Sequence, residues 1–253
     1  MTKPEILYED QDLLVAVKPA GVDSEAAGGL APDMVNLVRS YLAAKPGRTE
    51  KGAPYVGLIQ RLDRPVSGLM VLAKNRETAG KLSKALQQKQ IRKTYRALLA
   101  GKPEQESGLL EDWLLKEPRG NRSRTAKAGE AGAKKAELKY RLLGTAEKEG
   151  KTISEVEIEL LTGRHHQIRV QFSSRGLPLL GDRKYGPGES AAVGTGAGFG
   201  ENDAAGTGGK EEIKGREIRA YGGLCLCACR LAFRHPTTNK RMEFSVEPPF
   251  SLE

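Results

Sequence analysis

The stretch Gln60-Arg61-Leu62-Asp63-Arg64-Pro65-Val66-Ser67-Gly68 places a carboxylate between two arginines and separates two apolar segments. Those segments, 56–60 and 69–73, predict two strands, so the charged residues between them predict a turn. Adjacent positive charge favours the ionised form of Asp63, and a rigid strand end would give it the fixed geometry that a nucleophile or base requires. The alternative is a turn aspartate that only makes local hydrogen bonds, and the spacing alone leaves both interpretations open.

Apolar periodicity on both sides of this stretch predicts a chain of strands interspersed with helices. Residues 5–18 hold two short apolar runs around an acidic turn, which is typical of a β-hairpin. Strands and helices do not alternate strictly, which predicts an α+β fold with a mostly antiparallel sheet. Further strands are predicted at 92–100, 136–143, 153–161 and within 224–250, and helices at 33–44, 76–88 and 163–175, with Thr162 as the cap of the last helix.

The length of 253 residues suits a single catalytic domain over residues 1–253. Residues 187–210 are rich in Gly and Ala, and a segment of this composition buries too little apolar surface to offset its ordering entropy. We therefore expect a flexible Gly-rich insertion there. Cys225, Cys227 and Cys229 alternate along a predicted strand, which predicts buried apolar thiols rather than a disulfide or a metal site.

Basic residues dominate the region around Asp63. The chain has a formal net charge of +9 and a pI of about 9.4, and the 42 residues at 61–102 contain eleven Lys or Arg against two acids. Residues 119–135 add six basic residues against one acid. This distribution favours a polyanionic partner such as RNA, although solubility or an anionic membrane surface would also explain a basic chain. No apolar run approaches the ~20 residues that span a bilayer, and no apolar signal region follows the N-terminus, so a cytoplasmic protein is expected.

Two other segments combine cations with aromatic or polar side chains. Tyr95 lies between Lys93 and Arg96 in a predicted strand, and an aromatic ring among cations is typical of stacking on an exposed base. A tyrosine in the sheet core is the alternative. Arg164 and His165 fall in the first turn of the last predicted helix, where the helix dipole favours a bound anion. Ordinary surface hydrogen bonding is the alternative there, and a metal shared by adjacent histidines is not expected.

Taken in order, these segments resemble the pseudouridine synthases of the RluA family. Arg61-Leu62-Asp63-Arg64 with Ser67-Gly68 looks like the active-site motif of that family. Lys93-Thr94-Tyr95-Arg96-Ala97-Leu98 is similar to its tyrosine motif, and Thr162-Gly163-Arg164-His165-His166-Gln167-Ile168-Arg169 is similar to its arginine motif. Three further pieces fit in the same order, at 13–21, at 181–186 and at His235-Pro236 with 244–249.

The chain also departs from the family pattern. The family usually has His, Thr and His where this chain has Gln60, Val66 and Gln171. These departures bear on the shaping of the site and on the substrate. We also expect no small S4-like RNA-binding domain before Ile6.

The resemblance implies a pseudouridine synthase fold, with a mixed, mainly antiparallel sheet, flanking helices and a central RNA-binding cleft. It implies an enzyme that flips a specific uridine of ribosomal or transfer RNA out of its stack and isomerises it to pseudouridine. By this resemblance Asp63, Tyr95 and Arg169 are catalytic. Asp63 would attack C1′ of the ribose or remove a proton from C2′, Arg169 would pair with Asp63, and Tyr95 would stack on the flipped uracil. The RNA-binding residues that it implies are Arg61, Arg64, Lys93, Arg96, Arg164, His165 and Gln167.

The isomerisation neither adds nor removes atoms, so the resemblance implies no cofactor and no metal. RNA is the expected partner, with no membrane and no obligate protein partner, and a monomer is expected. One alternative is a non-catalytic RNA-binding or ribosome-assembly protein on the same fold, which the changed residues Gln60, Val66 and Gln171 favour. Another is a glycosidic-bond hydrolase, which would need a second carboxylate near Asp63. The surrounding 42 residues supply only Glu77.

Overall fold

The computed structural model describes residues 4–26, 32–46, 52–186, 218–219 and 222–252. The Cα positions fall into two compact units, the first formed by Met1–Lys93 with Ala228–Glu247 and the second by Thr94–Cys227 with Pro248–Glu253. The single catalytic domain over 1–253 stays a prediction. The Gly-rich segment at 187–210 lies outside the described residues.

Strands make up most of the secondary structure. The pairings for which a register is defined are antiparallel, which confirms the predicted α+β fold with a mainly antiparallel sheet. None of the helices in the described ranges is long and apolar enough to cross a membrane. In chain order the elements are β1 (Glu5–Glu9), β2 (Leu13–Lys18), α1 (Met34–Ala43), β3 (Gly57–Leu58), β4 (Ser67–Ala73), α2 (Arg76–Gln87), β5 (Arg92–Ala100), β6 (Ser107–Lys116), β7 (Ser123–Ala126), β8 (Lys134–Lys148), β9 (Lys151–Leu160), α3 (Gln167–Ser173), β10 (Ile218–Arg219), β11 (Leu226–Arg234), β12 (Arg241–Ser245) and β13 (Ser251–Leu252).

The first unit is built on β1, β2, β4 and β11 as neighbouring strands, with β3 paired to β4 and β12 paired to β11. The predicted hairpin at 5–18 is confirmed as β1 and β2. The apolar run 13–16 is fully buried, so β2 is covered on both faces, and Leu82 of α2 packs into the same core. This core fixes the ends of β2 and β4, where Lys18 lies opposite Gly68.

Both predicted helices of the first unit are confirmed, and each begins at a side chain that caps it. Asp33 accepts a hydrogen bond from Asn36 N at the start of α1. Asn75 accepts one from Thr78 N at the start of α2. Such caps satisfy amide groups that have no partner within the helix.

The second unit has the strand order β5-β9-β8-β6-β7. The strand predicted at 92–100 is confirmed as β5 with the same bounds. β8 and β9 form one antiparallel hairpin that is longer than the strands predicted at 136–143 and 153–161, because pairing continues through polar residues as far as Lys148 and Lys151.

The strands β6 and β7 were not predicted from the sequence. Two pairs of adjacent leucines place apolar side chains on both faces of β6, which hides the period of two that indicates a strand. Leu114 is buried, for example, whereas Leu109 is 50% exposed. β7 is short and mostly polar. Part of the basic segment 119–135 therefore lies in an antiparallel hairpin formed by β6 and β7.

The predicted helix at 163–175 exists, but its predicted start is wrong. α3 begins at Gln167, because His166 adopts the left-handed conformation, with φ of 54°. A left-handed residue cannot continue a right-handed helix. Arg164 and His165 therefore precede the helix instead of lying in its first turn.

The three cysteines are buried, as the alternating pattern predicted. Cys225 lies just before β11, and Cys227 and Cys229 lie within it. The intervening Leu226 and Ala228 are also buried, so this part of the chain is covered on both faces.

Candidate active site

Asp63 lies in the turn between β3 and β4, in the first unit. Val66 N donates a hydrogen bond to the carbonyl oxygen of Asp63 at 2.9 Å, which closes the turn. The Asp63 side chain is half-buried, whereas the flanking Arg61 and Arg64 are exposed. The predicted strand, turn and strand are therefore confirmed, with the carboxylate between two accessible cations.

The chain that follows β2 holds the backbone on both sides of Asp63. Ser24 Oγ accepts a hydrogen bond from Leu62 N at 2.9 Å and donates one to Leu62 O at 2.8 Å. Gly21 N donates to Arg64 O at 2.8 Å, and Arg64 Nε donates to Gly21 O at 3.0 Å. Because both neighbours of Asp63 are held from the same loop, the backbone position of Asp63 is fixed.

Lys18 is fully buried at the end of β2 and contacts the same turn. Its Nζ donates to three backbone carbonyl oxygens, including that of Arg64 at 3.1 Å. Burial lowers the pKa of Lys18 from 10.5 to about 8, while the negative charges of Asp23 and Asp63 act in the opposite direction. The sequence motifs assigned no role to Lys18. The feature that indicates one is its position directly after the apolar run 13–17, because a lysine buried with that run needs partners for its charge.

In the second unit, Arg169 of α3 forms a buried ion pair with Asp182. Arg169 Nε donates to Asp182 Oδ2 at 2.8 Å, and Nη2 donates to Oδ1 at 2.7 Å. Burial alone would raise the pKa of Asp182, but the hydrogen bonds and charge of Arg169 outweigh burial and lower it. The sequence motifs assigned a catalytic role to Arg169 but none to Asp182, which they included only as part of the matching segment 181–186.

Tyr185 and the two adjacent histidines surround this ion pair. Arg169 Cζ lies 5.0 Å from the centroid of the Tyr185 ring. His166 Nδ1 is hydrogen-bonded to Tyr185 OH at 2.7 Å, and the rings of His165 and His166 stack at 3.7 Å. Burial, followed by the charge of Arg169, lowers the pKa of His166 to about 3, so His166 is neutral at physiological pH.

His165 contacts the tip of the hairpin formed by β6 and β7. His165 Nδ1 is hydrogen-bonded to Ser123 Oγ at 2.8 Å, and Nε2 to Asn121 Oδ1 at 2.9 Å. Lys184 Nζ donates to the carbonyl oxygen of Asn121 at 2.9 Å. The basic hairpin is thus tied to the chain on both sides of α3.

The tyrosine motif lies on β5, whose residues differ in their environment. Lys93 is half-buried, and burial lowers its pKa. Tyr95 is 7% exposed and lies opposite Ile158 in the β5–β9 register. Arg96 Nε lies 3.2 Å from a carboxylate oxygen of the buried Glu155. The small exposure of Tyr95 leaves only part of the ring accessible to a base.

Gln167 organises the turn that precedes α3. Its Oε1 accepts hydrogen bonds from Thr162 Oγ1 at 2.7 Å and from Arg164 N at 3.0 Å, and its Nε2 donates to Glu137 O at 3.0 Å. Thr162 therefore does not cap the helix as predicted. Arg164 is exposed, and its Nε donates to Lys135 O at 2.8 Å. An RNA contact by the buried Gln167 stays a prediction.

The three departures from the family pattern, Gln60, Val66 and Gln171, are all buried. Gln171 Nε2 donates to Leu110 O and to Asp112 Oδ2. Among the described residues, no hydrogen-bond partner is present for the Oε1 atoms of Gln60 and Gln171. All three departures therefore lie in the interior of the fold.

A cluster with metal-ligand chemistry is present elsewhere in the first unit. One side-chain oxygen or nitrogen of each of Asp10, Asp12 and His235 lies within 4.8 Å of the others. These atoms already make hydrogen bonds: Asp10 Oδ2 accepts from Tyr8 OH and His235 Nε2, and Asp12 Oδ2 accepts from Thr237 Oγ1. These hydrogen bonds connect the β1–β2 turn to the chain after β11, which accounts for the close approach of the three side chains.

Comparisons with known proteins agree on one family. The family described as RNA pseudouridylate synthase matches residues 12–174. An uncharacterised RNA pseudouridine synthase of Aquifex aeolicus is 32% identical over 255 residues, which cover 98% of this chain and 72% of the relative. The ribosomal large subunit pseudouridine synthase D of Zymomonas mobilis is 31% identical, over 98% of this chain and 70% of the relative.

Solved structures show the same fold. The structure of human RNA pseudouridylate synthase domain containing 1 matches with a TM-score of 0.68 at 22% identity, over 99% of this chain and 89% of that one. Human RNA pseudouridylate synthase domain containing 4 matches with a TM-score of 0.67 at 22% identity, over 97% and 88% of the two chains. At this identity the likeness establishes the fold.

Proposed function

Because this chain belongs to the RNA pseudouridylate synthase family, we propose that it isomerises specific uridines of structured RNA to pseudouridine, with Asp63 as the essential carboxylate. The bond from uracil N1 to ribose C1′ breaks, the base turns, and a bond from C5 to C1′ forms. A proton leaves C5 and one is gained at N1, so the reaction is balanced without a cofactor.

The observation that carries this proposal is the fixed turn around Asp63. Hydrogen bonds from the loop after β2 hold Leu62 and Arg64, and Lys18 holds the carbonyl oxygen of Arg64. A carboxylate that attacks C1′ must be held in line with the breaking bond, and one that removes the C2′ proton must be held within hydrogen-bond reach. A fixed backbone serves both routes.

Tyr95 and Arg169 complete the proposed catalytic set on the basis of their motifs. Tyr95 is proposed to contact the flipped uracil with the accessible part of its ring, and to serve as an acid or base in a later step. Arg169 is proposed to maintain the charge balance of the site. Its bidentate pairing with Asp182 supports a fixed, permanently charged guanidinium.

Exposed and half-buried cations are proposed to bind the RNA backbone. Moving the target uridine out of its stack costs a few kcal/mol, and phosphate contacts would offset this cost. Arg61 is exposed beside Asp63 and is proposed to occupy the space that the flipped base leaves. The remaining RNA contacts are proposed for Arg64, Lys93, Arg96, Arg164, His165 and Gln167.

The substrate is proposed to be ribosomal or transfer RNA, and the enzyme to act as a monomer in the cytoplasm. The name of the Zymomonas mobilis relative refers to the ribosomal large subunit, which makes large-subunit ribosomal RNA the first substrate to test.

The proposal is tested by incubating the protein with total RNA from a strain that lacks the gene. Pseudouridine is mapped by its chemical adduct and the resulting reverse-transcription stop. We expect the wild-type protein to restore discrete sites and Asp63→Asn to restore none. Glu77→Gln is the matched control, because Glu77 is an exposed carboxylate on α2, and it should restore the same sites as the wild type.

The same experiment separates the alternatives. Release of free uracil would indicate a hydrolase. Binding of RNA by both the wild type and Asp63→Asn, without any restored site, would indicate the non-catalytic RNA-binding protein that the changed residues Gln60, Val66 and Gln171 favour.

A further inference from the structure

The Tyr185 side chain connects three parts of the second unit. Its ring centroid lies 5.0 Å from Arg169 Cζ and 5.8 Å from Arg122 Cζ. Its hydroxyl group is hydrogen-bonded to Ser123 N and to His166 Nδ1, at 2.7 Å in each case. The ring thus contacts the arginine of α3, while the hydroxyl contacts the β6–β7 hairpin and the residue before α3.

The two hydrogen bonds hold the Tyr185 hydroxyl group at the far end of the ring. Ser123 N–H can only donate, so the Tyr185 oxygen accepts from it. The low pKa of His166, about 3, keeps its ring neutral, and the tautomer of that ring sets the direction of the bond between His166 Nδ1 and Tyr185 OH. The phenol is therefore held at its far end by two hydrogen bonds.

The backbone of Tyr185 is held as well. Tyr185 N donates to Asp182 Oδ1 at 3.0 Å, and Ser173 Oγ donates to Tyr185 O at 2.6 Å. Asp182 is the same carboxylate that binds Arg169. Asp182 and Tyr185, which both contact the Arg169 guanidinium, are therefore fixed relative to each other.

These contacts restrain the guanidinium in two ways. The bidentate pair with Asp182 defines the direction of Nε and Nη2 within the guanidinium plane. The Tyr185 ring, within the range of a cation–π contact, restricts movement of the group towards that ring.

We propose that Tyr185 is a positioning residue, which together with Asp182 fixes the guanidinium of Arg169 in the orientation needed for uridine isomerisation. This inference rests on the proposed function, because it assumes that Arg169 takes part in the reaction. Tyr185 acts through Arg169 and does not itself contact the RNA in this role.

The kinetic test is a double-mutant cycle on the RNA site identified by the mapping experiment. We expect Tyr185→Leu to lower the single-turnover rate constant about tenfold, which is the size of a lost cation–π contact, with little change in KM. In an Arg169→Lys background the same substitution should have less than a twofold effect, because residues that act through one group are not additive. Equal losses in both backgrounds would mean a general structural role and would overturn the proposal.

Two further variants separate the ring from the hydroxyl and from packing. Tyr185→Phe keeps the ring, so it should retain most of the rate. Tyr140→Leu is the matched control. Tyr140 packs its ring 5.7 Å from Phe172 of the same helix α3 but is not a partner of the Arg169–Asp182 pair, so its rate should stay within about twofold of the wild type, since sites without shared partners do not couple.

A readout independent of activity keeps this inference separate from the proposed function. The Nε–H resonance of Arg169, observed in ¹⁵N-arginine-labelled protein, should shift in Tyr185→Leu, because the ring current of Tyr185 is lost, and should not shift in Tyr140→Leu. An unchanged resonance in Tyr185→Leu would overturn the positioning role even if the enzyme is active. A shifted resonance in a protein without any pseudouridine activity would refute the proposed function, and with it the catalytic part of this inference.

Discussion

Lys18 Nζ donates a hydrogen bond to the carbonyl oxygen of Arg64 at 3.1 Å, across 46 residues of the chain. The ammonium group is fully buried, and its other donors also go to backbone carbonyl oxygens. A buried charge with these acceptors fixes the residue that follows Asp63. The stability of the protein should therefore depend on the ionisation of Lys18.

We predict that Lys18→Met changes the pH dependence of the free energy of unfolding. The pKa of Lys18 is about 8 in the folded protein against 10.5 for an ordinary lysine. Between these values the unfolded chain binds more protons, so the wild type should gain stability as pH rises from about 8 to 10.5, by roughly 3 kcal/mol. Urea unfolding at several pH values measures this gain, and the Lys18→Met protein should lack it. Lys81→Met, at an exposed position on α2, should keep it, and parallel curves for the wild type and Lys18→Met would contradict the prediction.

We predict that Asp182→Asn destabilises the fold by about 3–5 kcal/mol, because it removes the buried carboxylate that pairs with the buried Arg169 guanidinium. The control is Glu157→Gln, since Glu157 pairs with Arg141 at the surface of the same unit. That change should cost less than about 1 kcal/mol. Chemical denaturation of both variants measures the loss in the free energy of unfolding. Equal losses would show that the buried pair contributes no more to stability than the surface pair.

We predict that Gly68→Ala is strongly destabilising. Gly68 has φ of +122°, and an added Cβ would lie 2.4 Å from the carbonyl oxygen of Ala228. Strain and clash together should cost more than about 2 kcal/mol. Gly80→Ala on α2 is the matched control, because a Cβ there meets no atom within 4 Å and should stabilise the helix by about 0.5–1 kcal/mol. Thermal unfolding should therefore shift in opposite directions for the two variants.

We predict that Arg61→Ala weakens RNA binding and makes it less salt-dependent. If Arg61 contacts one phosphate, the slope of log K against log salt concentration should fall by about 1. Binding measured from low to moderate salt gives this slope. Arg241→Ala is the control, because Arg241 is also exposed but pairs with Glu243, and its slope should equal that of the wild type. An unchanged slope in Arg61→Ala would remove Arg61 from the RNA interface.

The sequence predicted the elements whose patterns are local and strong. α2 shows apolar residues at helical spacing and begins at an Asn cap, and the bounds of β5 agree with the structure residue for residue. β6 was missed because its leucines occur in adjacent pairs, and the start of α3 was wrong because a left-handed His166 leaves no mark in hydrophobic periodicity. In both places the backbone conformation is determined by the surrounding fold and not by the local sequence pattern.

By itself the sequence determined the family, the mainly antiparallel α+β fold and the position of Asp63 in a turn between strands, because motif order and strand periodicity are local properties of the chain. Only the tertiary structure decided the partners of the charged groups. Lys18 holds a carbonyl oxygen 46 residues away, and Arg169 pairs with Asp182 13 residues away. Such pairs form because burial makes an unpaired charge costly, and which groups become buried together depends on how the whole chain packs.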